Sequence, residues 1–393
     1  MKLLYCYSEG SKSQDILWGF LELGIEIFAN EKCNNEYATG AELEQETQEI
    51  EKLIKREKCD GVLSWNYHPS ISIACERIGV PYIAWLYDSP LIHVYSKTIF
   101  NNCNHVFSFD KMQYKELKDM GVNCFYLPLA VNTTRLGALE ITDKEIQKYS
   151  EEISFVGRLY TNNLYNGVTR LLSQEITSKY TDVFKKQFGN WKEDVLYTDI
   201  TEEDLDVLQK VAPIQGADNY PFISKRELYL GLIVARKMAE YERHRILDEL
   251  AQHFPVTLYD SDDDTSGLSR VICKHSVAYE EECPKVYFSS KINLNITLRS
   301  IRSGLPIRVF DIMGVGGFLM SNYQKEFEEL YVPDKEVVLY SSMDELIDKT
   351  RFYLTHERER LIIAMNGYKR TLAEHTMKHR AAAIIKTVYG LEF

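Results

Sequence analysis

The stretch SSKINLNITLRSIRSGLPIRVFDIMGVGGFLMSN, residues 289–322, indicates the fold more clearly than any other part of the sequence. It contains an apolar strand with Asn293 and Asn295, a loop with several arginines, a helix with Asp311, and a glycine turn before a second apolar strand. A strand, a helix and a strand joined by short loops are typical of a parallel sheet covered by helices. The stretch therefore predicts an α/β fold.

The polar residues of the same stretch suit a nucleoside diphosphate. Arginines and the N-terminal amides of a helix offset phosphate charge, an aspartate accepts hydrogen bonds from ribose hydroxyls, and glycines let backbone amides approach phosphates. The Gly-x-Gly-Gly turn alone is weak support, because glycines also close helices. The candidate binding residues in this stretch are Asn295, Thr297, Arg302, Arg308, Asp311, Gly316 and Gly317.

The alternation of strands and helices continues in both directions from this stretch. Further strands are predicted at Lys2–Tyr7, Asp60–Trp65, Val80–Asp88, His105–Asp110, Cys124–Ala130, Ile153–Tyr160, Pro255–Asp260 and Glu336–Ser341. Residues 161–224 interrupt the alternation, and we predict a mostly helical insertion there that includes a helix capped by Thr201. The pattern predicts two doubly wound domains, residues 1–150 and 151–375, that face each other across a ligand cleft.

Length and charge favour two domains and exclude a nucleic-acid-binding class. With 393 residues, of which 45% are hydrophobic and 26% charged, the chain exceeds the size of a single core. The formal net charge of -12 argues against wrapping of DNA or a long RNA, which needs a basic face. No apolar run approaches the roughly 18–20 residues that span a bilayer, and the N-terminus lacks the apolar core of a signal peptide. We therefore expect a cytoplasmic protein without a transmembrane segment.

The sequence offers little support for a metal. Its eight cysteines are scattered without a Cys-x-x-Cys pair, which favours reduced thiols over a zinc site or a disulfide framework. The acidic run Asp262–Asp264 lies in the loop SDDDTSG, without a second carboxylate cluster, and is more typical of a solvated turn. We expect neither a metal nor another cofactor.

Other segments place polar residues just after predicted strands, where ligands gather in open α/β sheets. In FVGRLY, Gly157 permits close approach of the backbone to a ligand and Arg158 can neutralise a phosphate; a tight turn with an exposed arginine is the alternative. In IAWLYDSP, Asp88 is a candidate general base toward an acceptor hydroxyl; an Asx turn or a helix N-cap is the alternative. His68 follows a strand in the same way and is the second catalytic candidate, although such histidines are more often structural.

Several of these segments together resemble a bacterial family, the spore-maturation-type glycosyltransferases of the GT-B superfamily. The segments are WLYDSP, ISFVGRLY, FPVTLYD followed by TSGL, residues 291–323, and the closing NGY…H…HR from Asn366 to Arg380. The resemblance extends from about Val80 to the end of the chain. It implies two Rossmann-like domains, the N-terminal one for an acceptor and the C-terminal one for a nucleotide-sugar, with a last helix at about 376–393 that packs on the N-terminal domain.

Carried over position by position, the resemblance also implies the contacts of the donor. The implied positions are Gly157 and Arg158 near the diphosphate or sugar, Arg308 near the phosphates, Tyr279 and Asn295 near the nucleoside, Asp311 on the ribose, and Gly316 and Gly317 along the sugar or phosphates. One departure concerns stereochemistry. Many retaining enzymes of this fold carry two glutamates eight positions apart, whereas this chain has Ser303 and Asp311, so the retaining or inverting outcome stays open.

The resulting hypothesis is a metal-independent glycosyltransferase that moves a sugar from a nucleotide-diphosphate sugar, a UDP-sugar, to an acceptor hydroxyl on a bacterial protein or glycan. Two alternatives stay open. A non-catalytic nucleotide-sugar-binding or scaffold protein would keep the donor residues but would not need Asp88. A nucleotide-sugar 2-epimerase would use Asp88, His68 and His93 on the two sides of the sugar.

Overall fold

The computed structural model describes residues 1–7, 14–31, 39–260 and 264–393. The strands in these ranges are β1 Lys2–Cys6, β2 Glu26–Asn30, β3 Gly61–Trp65, β4 Tyr82–Trp85, β5 Asn104–Ser108, β6 Cys124–Tyr126, β7 Ile153–Val156, β8 Val256–Asp260, β9 Ile272–His275, β10 Ile292–Asn295, β11 Leu319–Asn322 and β12 Val338–Tyr340. The helices are α1 Asp15–Leu21, α2 Gly40–Glu57, α3 Pro69–Ile78, α4 Lys111–Asp119, α5 Thr133–Ala138, α6 Asp143–Tyr149, α7 Leu164–Val168, α8 Gln174–Gln187, α9 Val195–Asp199, α10 Glu202–Val211, α11 Lys225–Tyr229, α12 Ala235–Ala251, α13 Cys283–Ser289, α14 Ile307–Gly314, α15 Phe327–Leu330, α16 Met343–Thr355, α17 Glu357–Glu374 and α18 Met377–Tyr389.

The described residues form two compact units, each made of more than one chain segment. The first unit comprises Met1–Asn132, Gln215–Ser224 and His375–Phe393, and the second comprises Thr133–Ile214 and Lys225–Glu374. Each unit contains a parallel sheet and helices, which confirms the α/β class. The domain bounds given by the sequence analysis stay a prediction. Within the described ranges, no helix combines the length and the apolar character needed to cross a membrane.

The first unit is built on a six-stranded parallel sheet in the order β2-β1-β3-β4-β5-β6. Every residue of β3 and β4 is buried, as expected for inner strands of a parallel sheet with covered faces. The sequence pattern does not predict β2. Its residues, EIFAN, lack an apolar run because the strand lies at an edge of the sheet and is only partly buried.

Two segments that are distant in the sequence complete the first unit. Helix α18 packs on α1 so closely that a Cβ on Gly19 would lie 2.3 Å from the carbonyl oxygen of Met377. Residues 215–224 join the unit through an edge-to-face contact between Tyr220 and the buried His93, whose ring centres are 5.3 Å apart. The first unit is therefore assembled from the beginning, the middle and the end of the chain.

The second unit contains a six-stranded parallel sheet in the order β12-β11-β10-β7-β8-β9. The chain adds β8 and β9 on one side of β7, and then places β10, β11 and β12 on the other side. This is the doubly wound order, which reverses between β7 and β10. Ligands bind at such a reversal in open α/β sheets, so the fold directs attention to the loops after these two strands.

The helices α7 to α10 occupy most of the predicted helical insertion. Thr201 caps α10 as predicted, because its hydroxyl accepts from the amide of Asp204 while its own amide donates to the Asp204 carboxylate at 2.8 Å. The following helical stretch passes through a π-helical turn at Leu230–Val234 and continues as α12. Helix α12 then packs next to β8 and brings charged side chains to the sheet.

Candidate functional site

The loops that follow β7 and β10 form the switch point of the second sheet. The two strands are direct neighbours, with Ser154 opposite Asn293. Because parallel strands end at the same edge of a sheet, the loops that begin at Gly157 and Ile296 start side by side. The residues of these two loops, and the helices that contact them, make up the candidate site.

Gly157 lies directly against the guanidinium of Arg308. A Cβ on Gly157 would lie 2.5 Å from Nη2 and 3.3 Å from Cζ of Arg308, and its φ of 156° is one that residues with a side chain rarely adopt. The amide of Gly157 donates to the carbonyl of Tyr259 at 3.0 Å. Glycine is therefore needed here, because any side chain would displace the arginine.

Arg308 lies in the first turn of α14 and contacts both strands of the switch point. Its Nη1 donates to Oδ1 of Asn295 at 3.2 Å, and its Cζ is 5.3 Å from the centre of the Phe155 ring. The buried Asn295 uses its Nδ2 to donate to Oγ1 of Thr297 at 3.0 Å. Three of the predicted donor residues, Gly157, Asn295 and Thr297, are thus brought together around Arg308.

Arg243 of α12 contacts the two loops at once. Its side chain is 4% exposed, Nη2 donates to the carbonyl of Ile296 at 2.8 Å, and Nη1 donates to the carbonyl of Arg158. Its Cζ lies 4.9 Å from the centre of the Tyr160 ring. Burial lowers the pKa of Arg243 to about 10, and the charge of Arg308 acts in the same direction. The side chain therefore remains a cation at neutral pH.

Three arginines, Arg158, Arg243 and Arg308, lie on the elements that meet at the switch point. In the part of the chain that the structure describes, none of the three makes an ion pair with an aspartate or a glutamate. Arg158 is exposed, and Arg308 is half-buried. Cationic side chains next to a glycine backbone, as Arg308 is here, are the chemical complement of a phosphate or diphosphate anion.

Asp311 follows Arg308 by less than one turn of α14 and is 4% exposed. Burial raises the pKa of the Cys283 thiol to about 12, and the negative charge of Asp311 adds to this effect. Burial also raises the pKa of Tyr287 well above its usual value, while the charge of Arg308 opposes the change. The Asp311 carboxylate therefore lies near α13, on the same helix as the arginine that contacts Gly157.

Two other arginines of the loop after β10 are already paired. Nη1 of Arg302 donates to Oε1 of Glu227 at 3.2 Å, and its Cζ lies 4.6 Å from the centre of the Tyr197 ring. Nε of Arg299 donates to the two carboxylate oxygens of Glu242 at 3.1 and 3.0 Å. Because a carboxylate neutralises its charge, this placement does not favour the phosphate-binding role predicted for Arg302.

Gly316 and Gly317 lie at the edge of the sheet opposite to the switch point. They precede β11, and all strands of a parallel sheet begin at the same edge. A Cβ on Gly317 would lie 2.6 Å from the carbonyl oxygen of Tyr287 and 3.0 Å from Nδ2 of Asn293. The two glycines close α14 and allow close packing, and this placement does not favour the predicted contacts with phosphates or sugar.

Tyr279 lies in the loop between β9 and α13 and is half-buried. The Cζ of Arg135 lies 5.0 Å from the centre of its ring, and Nη1 of Arg135 donates to the carbonyl of Glu280 at 3.0 Å. The loop follows the C-terminal end of β9, so Tyr279 shares the edge of the sheet with the switch point. Its contact with the nucleoside stays a prediction.

In the first unit, Asp88 is exposed after β4 and is held by Asn66, which follows the neighbouring strand β3. Nδ2 of Asn66 donates to Oδ2 of Asp88 at 2.8 Å, and Oδ1 of Asn66 accepts from the amides of Tyr87 and Asp88 at 2.9 and 3.1 Å. Asn66 adopts a left-handed backbone with a φ of 59°. An exposed carboxylate with one fixed oxygen is suited to accept a proton from a bound hydroxyl.

His68 is placed differently from Asp88, because its side chain is 5% exposed. Its Nε2 lies 3.1 Å from the carbonyl oxygen of Trp65, and its amide donates to the hydroxyl of Tyr82 at 2.9 Å. Burial lowers the pKa of His68 to about 4, with a further contribution from His93, so the ring is neutral at neutral pH. This buried, hydrogen-bonded ring does not favour the predicted catalytic role.

The structure adds little on metals. Within the described ranges, no three histidine, cysteine, aspartate or glutamate side chains cluster closely enough to hold a metal ion. Of the run Asp262–Asp264, the first two residues lie outside the described residues. Oδ1 of Asp264 accepts from the amide of Ser266 at 2.9 Å, as in a turn. The expectation that no metal is needed stays a prediction.

Two residues of the site, Arg243 and Asn66, are missing from the sequence analysis. A signal for Arg243 is present, since Ala239, Ile246 and Leu250 mark the buried face of α12 and Arg243 falls on the same face. A charged residue inside the apolar stripe of a helix needs partners that satisfy it. For Asn66 we find no comparable signal, because its role depends on a left-handed backbone and on the neighbouring strand.

Comparison with known sequences gives a family match for the second half of the chain. Residues 236–386 match the family model described as glycosyl transferase-like, a range that extends from α12 through β10 and Arg308 into α18 and leaves out β7 and its loop. No curated protein sequence matches the chain. The match thus includes Arg243, Arg308 and the loop after β10, but not the loop after β7.

Solved structures resemble the chain along its whole length. A glycosyltransferase from Rickettsia africae ESF-5 covers 99% of this chain and 98% of its own, with a TM-score of 0.59 and 8% identity. The Anabaena protein HepE in complex with UDP-glucose covers 100% of both chains, with a TM-score of 0.55 and 12% identity. Sucrose-phosphate synthase from Thermosynechococcus elongatus covers 98% of both, with a TM-score of 0.54 and 8% identity. At these identities the likeness concerns the fold, and it confirms the predicted GT-B class.

Proposed function

We propose that this protein is a glycosyltransferase that moves a sugar from a nucleotide-diphosphate sugar to an acceptor hydroxyl. The observation that carries the proposal is the group of three arginines, Arg158, Arg243 and Arg308, at the reversal of the second sheet. A diphosphate supplies the negative charge that this group lacks. The match of residues 236–386 to a glycosyl transferase-like family supports the same conclusion.

A UDP-sugar is the proposed donor. Anabaena HepE, which shares the fold, was solved with UDP-glucose. In our proposal the diphosphate lies against Arg308 and the backbone of Gly157, next to the N-terminus of α14. The ribose hydroxyls bind Asp311, and the base lies toward Tyr279. Gly157 and Tyr279 lie in loops at one edge of the sheet, and α14, which carries Arg308 and Asp311, begins at the same edge.

The proposed reaction breaks the bond between the anomeric carbon and the diphosphate oxygen and forms a bond from that carbon to the acceptor oxygen. Negative charge grows on the departing diphosphate, so the arginines stabilise the transition state more than the bound donor. Asp88, exposed and oriented by Asn66, is the proposed base that takes the proton of the acceptor hydroxyl. The acceptor belongs to a bacterial protein or glycan.

Two finer points belong to the same proposal. The chain would be of the spore-maturation type, on the motifs quoted from its sequence. The reaction would also need no metal, because the arginine group offers the charge compensation that a divalent cation would otherwise give.

The test is the melting temperature of the purified chain with UDP, GDP, ADP, dTDP and their sugar conjugates, each with and without EDTA. A ligand that binds only the folded state at 100 times its Kd adds about 2.7 kcal/mol to the free energy of unfolding. We expect UDP and UDP-sugars to raise the melting temperature equally with and without EDTA. The variant Asp311→Ala should lose the shift.

Three outcomes would contradict the proposal in different places. If no nucleotide at millimolar concentration raises the melting temperature, the donor site is wrong. If EDTA removes the shift, the reaction is not independent of metal. If Asp88→Asn keeps both UDP binding and the full rate of sugar transfer, Asp88 is not the base. Conversion of the donor sugar without any acceptor would instead indicate an epimerase, and binding without turnover would indicate a scaffold.

A further inference from the structure

A single guanidinium connects the two loops of the switch point. Nη2 of Arg243 donates to the carbonyl of Ile296 after β10, at 2.8 Å, and Nη1 donates to the carbonyl of Arg158 after β7. The guanidinium is planar, so its two Nη groups have a fixed separation and direction. The two loop carbonyls are therefore held at a fixed distance from each other.

Aromatic rings of the same region hold this guanidinium in place. Its Cζ lies 4.9 Å from the centre of the Tyr160 ring and 5.3 Å from the centre of the Phe155 ring. Tyr160 adopts a left-handed backbone with a φ of 64°, which is unfavourable for a residue with a bulky side chain. The contact between Arg243 and the Tyr160 ring stabilises this unusual backbone and with it the path of the loop.

The position of Arg243 separates it from the residues that would touch a ligand. Its side chain is 4% exposed and lies between loop carbonyls and rings, whereas Arg158 is exposed and Arg308 is half-buried. The Phe155 ring is also shared, since the Cζ of Arg308 lies 5.3 Å from its centre. A change at Arg243 therefore reaches the ligand through the loops rather than by direct contact.

We propose that Arg243 is a positioning residue for the donor diphosphate. It holds the loop after β7 at a fixed distance from the loop after β10, so that Gly157 and Arg308 contact the diphosphate together. The inference rests on the nucleotide-sugar site proposed above. The spacing of the two loops depends on the forked shape of the guanidinium, because a lysine ammonium group cannot bind both loop carbonyls with the same geometry.

The experiment compares Arg243→Lys and Arg243→Met with the wild-type chain and with Arg245→Met. Arg245 is exposed on the same helix, where its Cζ lies 5.0 Å from the centre of the Phe188 ring, so its replacement is a matched control. Binding of UDP and of uridine is measured by calorimetry at a temperature where circular dichroism shows each variant folded. We expect both Arg243 variants to bind UDP about tenfold more weakly and uridine within about threefold of the wild type. The Arg245→Met chain should match the wild type with both ligands.

A second variant gives the same test if the Arg243 variants do not fold. Tyr160→Gly removes the ring that holds the guanidinium, and glycine adopts the left-handed backbone without strain. We expect this variant to bind UDP about threefold more weakly and uridine as the wild type does. An Arg243→Lys chain that binds UDP within about twofold of the wild type would overturn the inference, because charge without the fork would then suffice. An equal loss of affinity for UDP and for uridine would also overturn the inference. A wild-type chain that binds neither would overturn the proposed function and this inference together.

Discussion

The arginines of the second unit fall into two groups that differ in their partners. Arg299 and Arg302, in the loop after β10, each bind a carboxylate on a helix. In the described part of the chain, Arg243 and Arg308 instead bind carbonyl or amide oxygens and lie near aromatic rings. The first pair fastens a loop to its surroundings. In the second pair, Arg308 keeps its positive charge available to a ligand, while the buried Arg243 holds the loops around it.

The difference shows that local sequence does not tell a functional arginine from a structural one. The partner of Arg299, Glu242, lies 57 positions earlier in the chain, and the partner of Arg302, Glu227, lies 75 positions earlier. Only the fold brings these carboxylates to the loop. An arginine that belongs to a basic cluster in the sequence can thus have its charge offset by an acid from another helix.

The largest expected effect is on stability, from Arg299→Met. It leaves Glu242, whose side chain is 1% exposed, buried without its cation, and we expect the free energy of unfolding to fall by about 3–5 kcal/mol. Urea denaturation measures the change. The double variant Arg299→Met, Glu242→Met should recover most of the loss, because apolar side chains can replace a buried pair. If the free energy of unfolding of the single variant falls by less than about 1 kcal/mol, the pair of Arg299 and Glu242 does not stabilise the fold as proposed.

The next effect is on binding, from Arg308→Met. Hydrogen bonds to a charged partner contribute roughly 1.5–3 kcal/mol, so we expect UDP to bind about 12- to 140-fold more weakly by calorimetry. The free energy of unfolding without ligand should change little, because the substitution also relieves repulsion of the buried Arg243. Arg302→Met is the matched control, with an expected loss of less than about threefold. If both variants lose UDP affinity equally, the arginine paired with a carboxylate does not differ from Arg308 in ligand binding.

The smallest effect concerns the glycine that leaves room for Arg308. In Gly157→Ala the added Cβ would lie 2.5 Å from Nη2, so the arginine must move, and we expect UDP to bind about tenfold more weakly. Gly316→Ala is the control, because Gly316 has a φ of 85° and nothing within 4 Å of its Cβ position. It should lower the melting temperature without a change in affinity. A Gly157→Ala chain with wild-type affinity would show that this close approach is not part of the site.

The fold was largely predictable because it depends on patterns that neighbouring residues carry. Inner strands such as β3 and β4 are buried along their whole length and therefore show as apolar runs. The capping box that starts at Thr201 likewise lies within one turn of the chain. Strand β2 was missed because an exposed edge strand needs no apolar run, and its pairing with β1 is visible only in the folded sheet.

The site was less predictable, because it depends on distances between strands. Gly157, Asn295 and Arg308 were found as separate signals, and the structure brings them together. The glycine turn at Gly316 and Gly317 is close to these residues in the sequence but lies at the other edge of the sheet, and its contact with the donor stays a prediction. In a parallel sheet, residues that are close in the sequence can lie at opposite edges, and residues far apart in the sequence can share an edge.

The close packing of Gly19 on the backbone of Met377 also bears on how the chain is made. Helix α1, with its buried Ile16 and Phe20, precedes the second unit in the sequence, whereas α18, the helix that packs on it, follows that unit and leaves the ribosome after it. The apolar face of α1 therefore cannot pack on α18 until the whole second unit has been translated. In this protein the unit that begins first is the one that is completed last.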